Sequence, residues 1–152
     1  MLTSQEAENC RTLAERQVAC GNFSEAEVLY RQAAALEPAS AEPLVGLGAV
    51  ALQTGRLDEA HRHFQMAAWL DRACPAAHCG LGMVYQERGD FARACDEYLR
   101  CLQLDGDNMV ALLGLFQSSC RLGDFSRITG CLETYLQTHP GDPTVQFCLA
   151  SL

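Results

Sequence analysis

An all-α chain of stacked antiparallel helix pairs is the fold class this sequence predicts, and three observations predict it. Gly21, Gly55, Gly89 and Gly123 stand 34 residues apart, with no residue inserted or deleted between them. A pattern of small and large residues travels with them. Ala26, Ala60 and Ala94 form one column, Tyr30, Phe64 and Tyr98 the next, and Ala33, Ala67 and Cys101 a third. Lastly, Pro38, Arg72, Gly106 and Pro140 recur where one unit hands over to the next. Self-similarity at a fixed period of this length is the signature of a helical repeat array.

The unit from Pro75 to Asn108 shows the plan: a small-residue helix, a Gly89-Asp90-Phe91 turn, a second helix through Ala94, Tyr98 and Cys101, and a Leu104-Asp105 exit. Thr3-Ser4-Gln5-Glu6 and Ser24-Glu25-Ala26-Glu27 read as capping boxes that start the first two helices. Each periodic glycine ends the first helix of its pair, because glycine alone takes positive φ cheaply. Pro38, Pro75, Pro140 and Pro143 lie between units, where no helix needs their missing N–H. Gly48 or Gly82 and Ala60 or Ala94 let two helices approach closely. Leu47, Leu81, Phe64 and Tyr98 fill the space between one pair and the next. A single pair cannot bury its own apolar face, so the pairs stack into an α-solenoid.

Two departures carry expectations of their own. In the fourth unit Phe116, Ile128 and Tyr135 stand where the other units have small residues, which predicts a splayed or re-angled helix pair. At the end of the chain, Val145 to Leu152 carries no charge after Asp142. A terminal helix facing water should be polar outside. The preferred reading is therefore a sequence cut from a longer protein, and the alternative is a helix docked on a second copy.

Composition narrows the function classes. Of 152 residues 49% are hydrophobic and 7% aromatic, so the core is built mainly from Ala, Leu and Cys. A formal charge of −8 with no basic run makes nucleic acid and anionic membrane surfaces poor partners. All 11 basic residues are Arg, which excludes a phosphate-loop or Schiff-base Lys. The 9 cysteines contain no C-x-x-C pair and read as small hydrophobes on helices. The N-terminus shows no signal-peptide pattern and no window is long enough for a membrane helix, so the expected compartment is the reducing cytoplasm.

With period, glycines and small/large columns in place, the chain resembles the tetratricopeptide-repeat (TPR) family over nearly its whole length. The register gives repeats 7–40, 41–74, 75–108 and 109–142, with a partial fifth repeat or capping helix at 143–152. About nine helices in a single domain over 1–152, wound as a right-handed superhelix, are what the resemblance implies. It also implies that positions 2, 5, 6, 9, 12 and 13 of each unit line a concave groove. Carried over, these include Arg11 and Glu15, then Val45, Gly46, Ala49 and Leu52, then Cys79, Gly80, Met83 and Gln86. The fourth repeat adds Val110, Leu113, Gly114, Gln117 and Cys120, and the partial fifth adds Thr144, Phe147 and Cys148.

Glycine inside a helix costs about 1 kcal/mol against Ala, so Gly46, Gly80 and Gly114 in one column call for a reason. One reading is a groove floor lowered for a ligand; the other is tight contact between neighbouring units. The family's carboxylate clamp for acidic chaperone tails asks for basic and Asn residues at set positions. Arg11 fits it, whereas Glu15, Gly46, Ala76 and Gly80 do not, so such tails are not the expected partner.

Chemistry of other kinds is thinly represented. His61 and His63 face different ways on a helix. Cys74, His78 and Cys79 form one metal-like cluster, but with no second pair. No nucleophile, base and orienting group occur together, so no enzyme, cofactor or metal is expected. Trp69 is read as lying flat across helix stems, or else as a self-association surface. The leading expectation is a scaffold, adaptor or chaperone-like module that binds an apolar or amphipathic protein segment in the groove. In surface character it is similar to groove-binding TPR chaperones of bacterial secretion systems. Two alternatives stay open: the N-terminal TPR region of a larger enzyme that positions a protein substrate, and a self-assembly module using 143–152 or Trp69.

Overall fold

The computed structural model describes residues 2–152, with side chains from Thr3 onward; Met1, the first residue of the expected 1–152 domain, lies outside them. The described residues form nine helices and no strand. They are α1 (Leu2–Ala19), α2 (Phe23–Leu36), α3 (Glu42–Gln53), α4 (Leu57–Leu70), α5 (Pro75–Glu87), α6 (Phe91–Leu104), α7 (Met109–Leu122), α8 (Ser126–Thr138) and α9 (Pro143–Ala150). This is the all-α helical-repeat solenoid class. No helix among the described residues is long and apolar enough to cross a membrane.

The punctuation falls where the glycines stand. Gly21, Gly55, Gly89 and Gly123 take φ of 79°, 78°, 78° and 73°, the left-handed region that reverses the chain after the first helix of each pair. Helix starts were read less well from the sequence. The two capping boxes do not form: α1 is already helical at Leu2, five residues ahead of the repeat boundary at 7, and Thr3 and Ser4 lie inside its first turn. Helix α2 starts at Phe23, so Ser24 is internal, and the flanking Asn22 donates to Gln17 Oε1 at 2.8 Å. The reason is packing. Phe23 goes to the first helical position because there it covers Ala14, Ala26, Tyr30, Leu47 and Val50. Side-chain caps occur elsewhere: Asp90 accepts from Arg93 N, Asn108 from Ala111 N, and Asp142 from Thr144 N and Val145 N.

The chain divides into two compact units, up to Gly80 and from Leu81, the division falling within α5. In the first unit the core is small and aromatic, with Ala14, Ala26, Tyr30, Leu47 and Val50 in one cluster and Ala41, Ala67 and Ala77 in another. In the second unit Tyr98, Leu112, Leu115, Ile128 and Leu132 are fully buried.

Aromatic wedges hold the units' helices in register. A Cβ on Gly48 would lie 2.8 Å from the Phe64 ring, and one on Gly80 would lie 2.3 Å from the same ring. Tyr98 stands likewise against Gly82 and Gly114, at 2.7 Å and 2.4 Å, and Tyr30 against Gly46 at 2.3 Å. Each ring thus fills the room left by glycine in its own repeat, in the next, or in both. In the fourth repeat the sizes are exchanged: Phe116 stands in the Gly48/Gly82 column and Leu132 in the aromatic one. Ile128 and Tyr135 are buried there, and α7 packs on α8 less extensively than α1 on α2 or α3 on α4. That agrees with the looser pair expected from those residues.

Candidate functional site

Within the first unit, the residues expected to line a groove are mostly engaged. Arg11 forms an ion pair with Glu42, and its Nε is buried without a hydrogen-bond partner. Glu15 and Ala49 are exposed, Leu52 is half-buried, and Val45 packs on the Ala41, Ala67 and Ala77 cluster. Gly46, Cys79 and Gly80 are buried, so they offer a partner no surface, contrary to expectation. The ring contacts of Tyr30 and Phe64 explain both glycines, and the packing reading of the column replaces the ligand reading.

The second unit presents a different face. Helix α5 contributes Met83 and Gln86, α7 contributes Val110, Leu113, Gln117 and Cys120, and α9 contributes Phe147. Phe147 is 71% and Val110 56% exposed, Gln117 and Cys120 are exposed, and Met83, Gln86 and Leu113 are half-buried. Gly114 is buried beneath Tyr98 and leaves the predicted lining with Gly46 and Gly80. The polar groups here are joined. The Tyr98 hydroxyl donates to Gln86 Oε1 at 2.7 Å, and Gln86 Nε2 donates to Gln117 Oε1 at 2.9 Å, bridging α5 and α7. Sequence reading missed this relay, treating Tyr98 as filler. The available signal was a Tyr at 98 coinciding with Gln at 86 and 117, which no other repeat has.

Titratable groups outside these faces are held by structure. His63 is half-buried near Arg62, Glu59, Arg31 and Glu27 with its Nδ1 unpaired, and burial pushes its pKa below the ordinary value. Glu27 is lowered chiefly by its hydrogen bond from Arg56, at 3.1 Å. His78 Nε2 contacts the Arg72 carbonyl oxygen at 3.0 Å. Among the described residues no three His, Cys, Asp or Glu side chains gather as a metal site. All nine cysteines are free thiols, and burial pushes those of Cys95, Cys131 and Cys148 up, away from the reactive thiolate.

On the outer helices, Trp69 does not lie flat across its neighbours: it is 77% exposed, and Met66 beside it 52%. It borders a shallow cleft of about 330 Å³ lined by Ala34, Pro38, Ser40, Leu44, Met66 and Leu70. A cleft of about 360 Å³ between α6 and α8 opens over Leu99, Leu102, Gly130 and Cys131.

A family model described as tetratricopeptide repeat matches residues 17–79, and a second of the same description matches 75–108. Together with the period and the helix pairs, these matches define the class: the chain belongs to the tetratricopeptide-repeat family. No curated protein sequence matches it significantly. Among solved structures it is similar to one from the functional characterization of Pseudomonas aeruginosa pilF. That likeness has a TM-score of 0.85 and 18% identity over 99% of this chain and 69% of that one. The first TPR of Spaghetti (RPAP3), bound to the HSP90 peptide SRMEEVD, has a TM-score of 0.74 and 20% identity, covering 80% and 96%. The Sgt2 TPR domain from Aspergillus fumigatus has a TM-score of 0.74 and 21% identity, covering 80% and 82%. At such identities the likeness is one of fold.

Proposed function

We propose that this chain is a non-catalytic interaction module that holds an apolar segment of a partner protein on the α5/α7/α9 face of its second unit. The observation that carries the reading is the set of large side chains left open there: Met83, Val110, Leu113 and Phe147, with Gln117 among them. Burying one partner side chain there is worth roughly 1.5–3 kcal/mol, so two or three anchors supply roughly 3–9 kcal/mol before ordering costs, which supports weak, reversible binding. A similar fold carrying an HSP90 peptide supports peptide holding in general. An acidic tail suits this chain poorly, since Arg11 is already paired with Glu42 and the other clamp positions are not basic.

The test uses random dodecapeptides displayed on phage and panned against the immobilised chain. Binding of the enriched peptide should be lost in Met83→Glu combined with Leu113→Glu, with the helical CD signal unchanged. Undiminished binding would overturn the reading. A second reading, weak self-association through the outer helices, rests on the exposure of Trp69 and Met66 beside their cleft. Concentration-dependent sedimentation that disappears in Trp69→Ala supports it, and a monomer at high concentration removes it.

A further inference from the structure

We infer that the second unit recognises its partner's main chain as well as its side chains, through a hydrogen-bond relay that fixes one outward-pointing donor at Gln117. The inference rests on the docking face proposed above and names the chemistry of what docks there: an uncharged apolar segment presenting a backbone carbonyl oxygen.

The relay has a direction. The Tyr98 ring is wedged between Gly82 and Gly114, where a Cβ would come within 2.7 Å and 2.4 Å, so the hydroxyl on its far end is held in place. That hydroxyl has a single hydrogen and gives it to Gln86 Oε1. With its oxygen occupied, the Gln86 amide turns Nε2 toward α7, and Nε2 donates to Gln117 Oε1. Each amide is thereby oriented by the one before it. The exposed end of the line is Gln117 Nε2, whose only chemistry is donation.

Its surroundings select the acceptor. Leu113 lies one turn before Gln117 on α7 and Met83 one turn before Gln86 on α5, so the donor emerges between apolar side chains. A carboxylate would need positive charge beside it. Of the cations nearest in sequence, Arg121 sits over the Phe91 ring with its guanidinium carbon 5.1 Å from the ring centroid, and Arg88, two residues after Gln86, directly follows the carboxylate of Glu87. A neutral carbonyl, which an extended peptide offers at every residue, is the acceptor that fits. The relay is confined to this unit: Phe64 has no hydroxyl, and the positions matching Gln86 hold Val18, Leu52 and Cys120.

The experiment titrates a fluorescein-labelled form of the peptide enriched by panning into the chain and its variants, following anisotropy. Gln117→Glu keeps the acceptor for Gln86 but replaces the outward donor by a second acceptor, and should weaken binding at least tenfold. Gln117→Leu, at an exposed position that leaves folding intact, should weaken it about fivefold. Tyr98→Phe keeps the wedge and frees the relay, with a loss of a few-fold. Wild-type affinity in all three variants, with binding still abolished by Met83→Glu, overturns the relay and leaves the apolar face standing. Binding indifferent to Met83→Glu overturns the face itself, and a library that yields no binder counts against both.

Discussion

The ring of Phe64 occupies the volume that a side chain on Gly80 would need, leaving 2.3 Å between ring and Cβ position. The same ring also lies 2.8 Å from where a Cβ on Gly48 would stand, so it has little room to move away. Glycine here is a packing residue, and its cost in helix stability is offset by the wedge it admits.

Gly80→Ala should therefore destabilise the chain by about 1–3 kcal/mol, even after the gain of about 1 kcal/mol in helix propensity. Urea unfolding followed by CD measures it. Phe64→Leu costs stability by itself, but in the double variant the two losses should add to less than their sum, since one relieves the other. Gly130, inside α8 with nothing within 4 Å of a Cβ, is the contrasting case. Gly130→Ala should stabilise by roughly 0.5–1 kcal/mol.

Ser118 sits fully buried in a column held by Val50 and Val84 in the two preceding repeats, and its hydroxyl has no hydrogen-bond partner. An unsatisfied buried hydroxyl costs on the order of 1–3 kcal/mol. Ser118→Ala should raise the midpoint of urea unfolding by an amount equivalent to about 1 kcal/mol. A fall in the midpoint would mean that the hydroxyl is satisfied after all.

His63 gives the first unit a dependence on pH. Burial lowers its pKa in the folded chain, so between the folded value and the ordinary imidazole value of about 6.5 the unfolded chain binds more protons. Its contribution to stability is complete above that ordinary value. It is lost as pH falls through it, levelling off below the folded pKa. Glu27 adds a second loss at lower pH, because a depressed carboxylate pKa favours folding only while the group stays ionised. Thermal melts from pH 8 to pH 5 should show a falling midpoint, and His63→Phe should flatten that slope. An equal slope in the variant would assign it elsewhere.

Architecture was legible because periodicity is written in many residues at once: four glycines with positive φ, the wedge aromatics and the prolines all point to the same helix pairs. Single-residue judgements fared less well, since each depends on a neighbour far away in sequence. Ser24 looked like a cap until Phe23 claimed the first helical position for the core. For Gly46, Gly80 and Gly114 the sequence leaves groove floor and tight packing both open, and rings from the preceding repeats decide for packing. Trp69 is expected to lie over the neighbouring helix stems, yet it stands open to solvent. Gln86 is expected from the repeat register to line the groove, but its hydrogen-bond partners Tyr98 and Gln117 are 12 and 31 residues away.

The most direct measurement of the central claim is an amide chemical-shift titration of the isotope-labelled chain with the peptide enriched by panning. Saturable shifts should gather on α5 from Met83 onward, on α7 from Val110 to Cys120, and around Phe147 of α9. Shifts gathered instead around Met66 and Trp69, or over the α6/α8 cleft, would contradict the account.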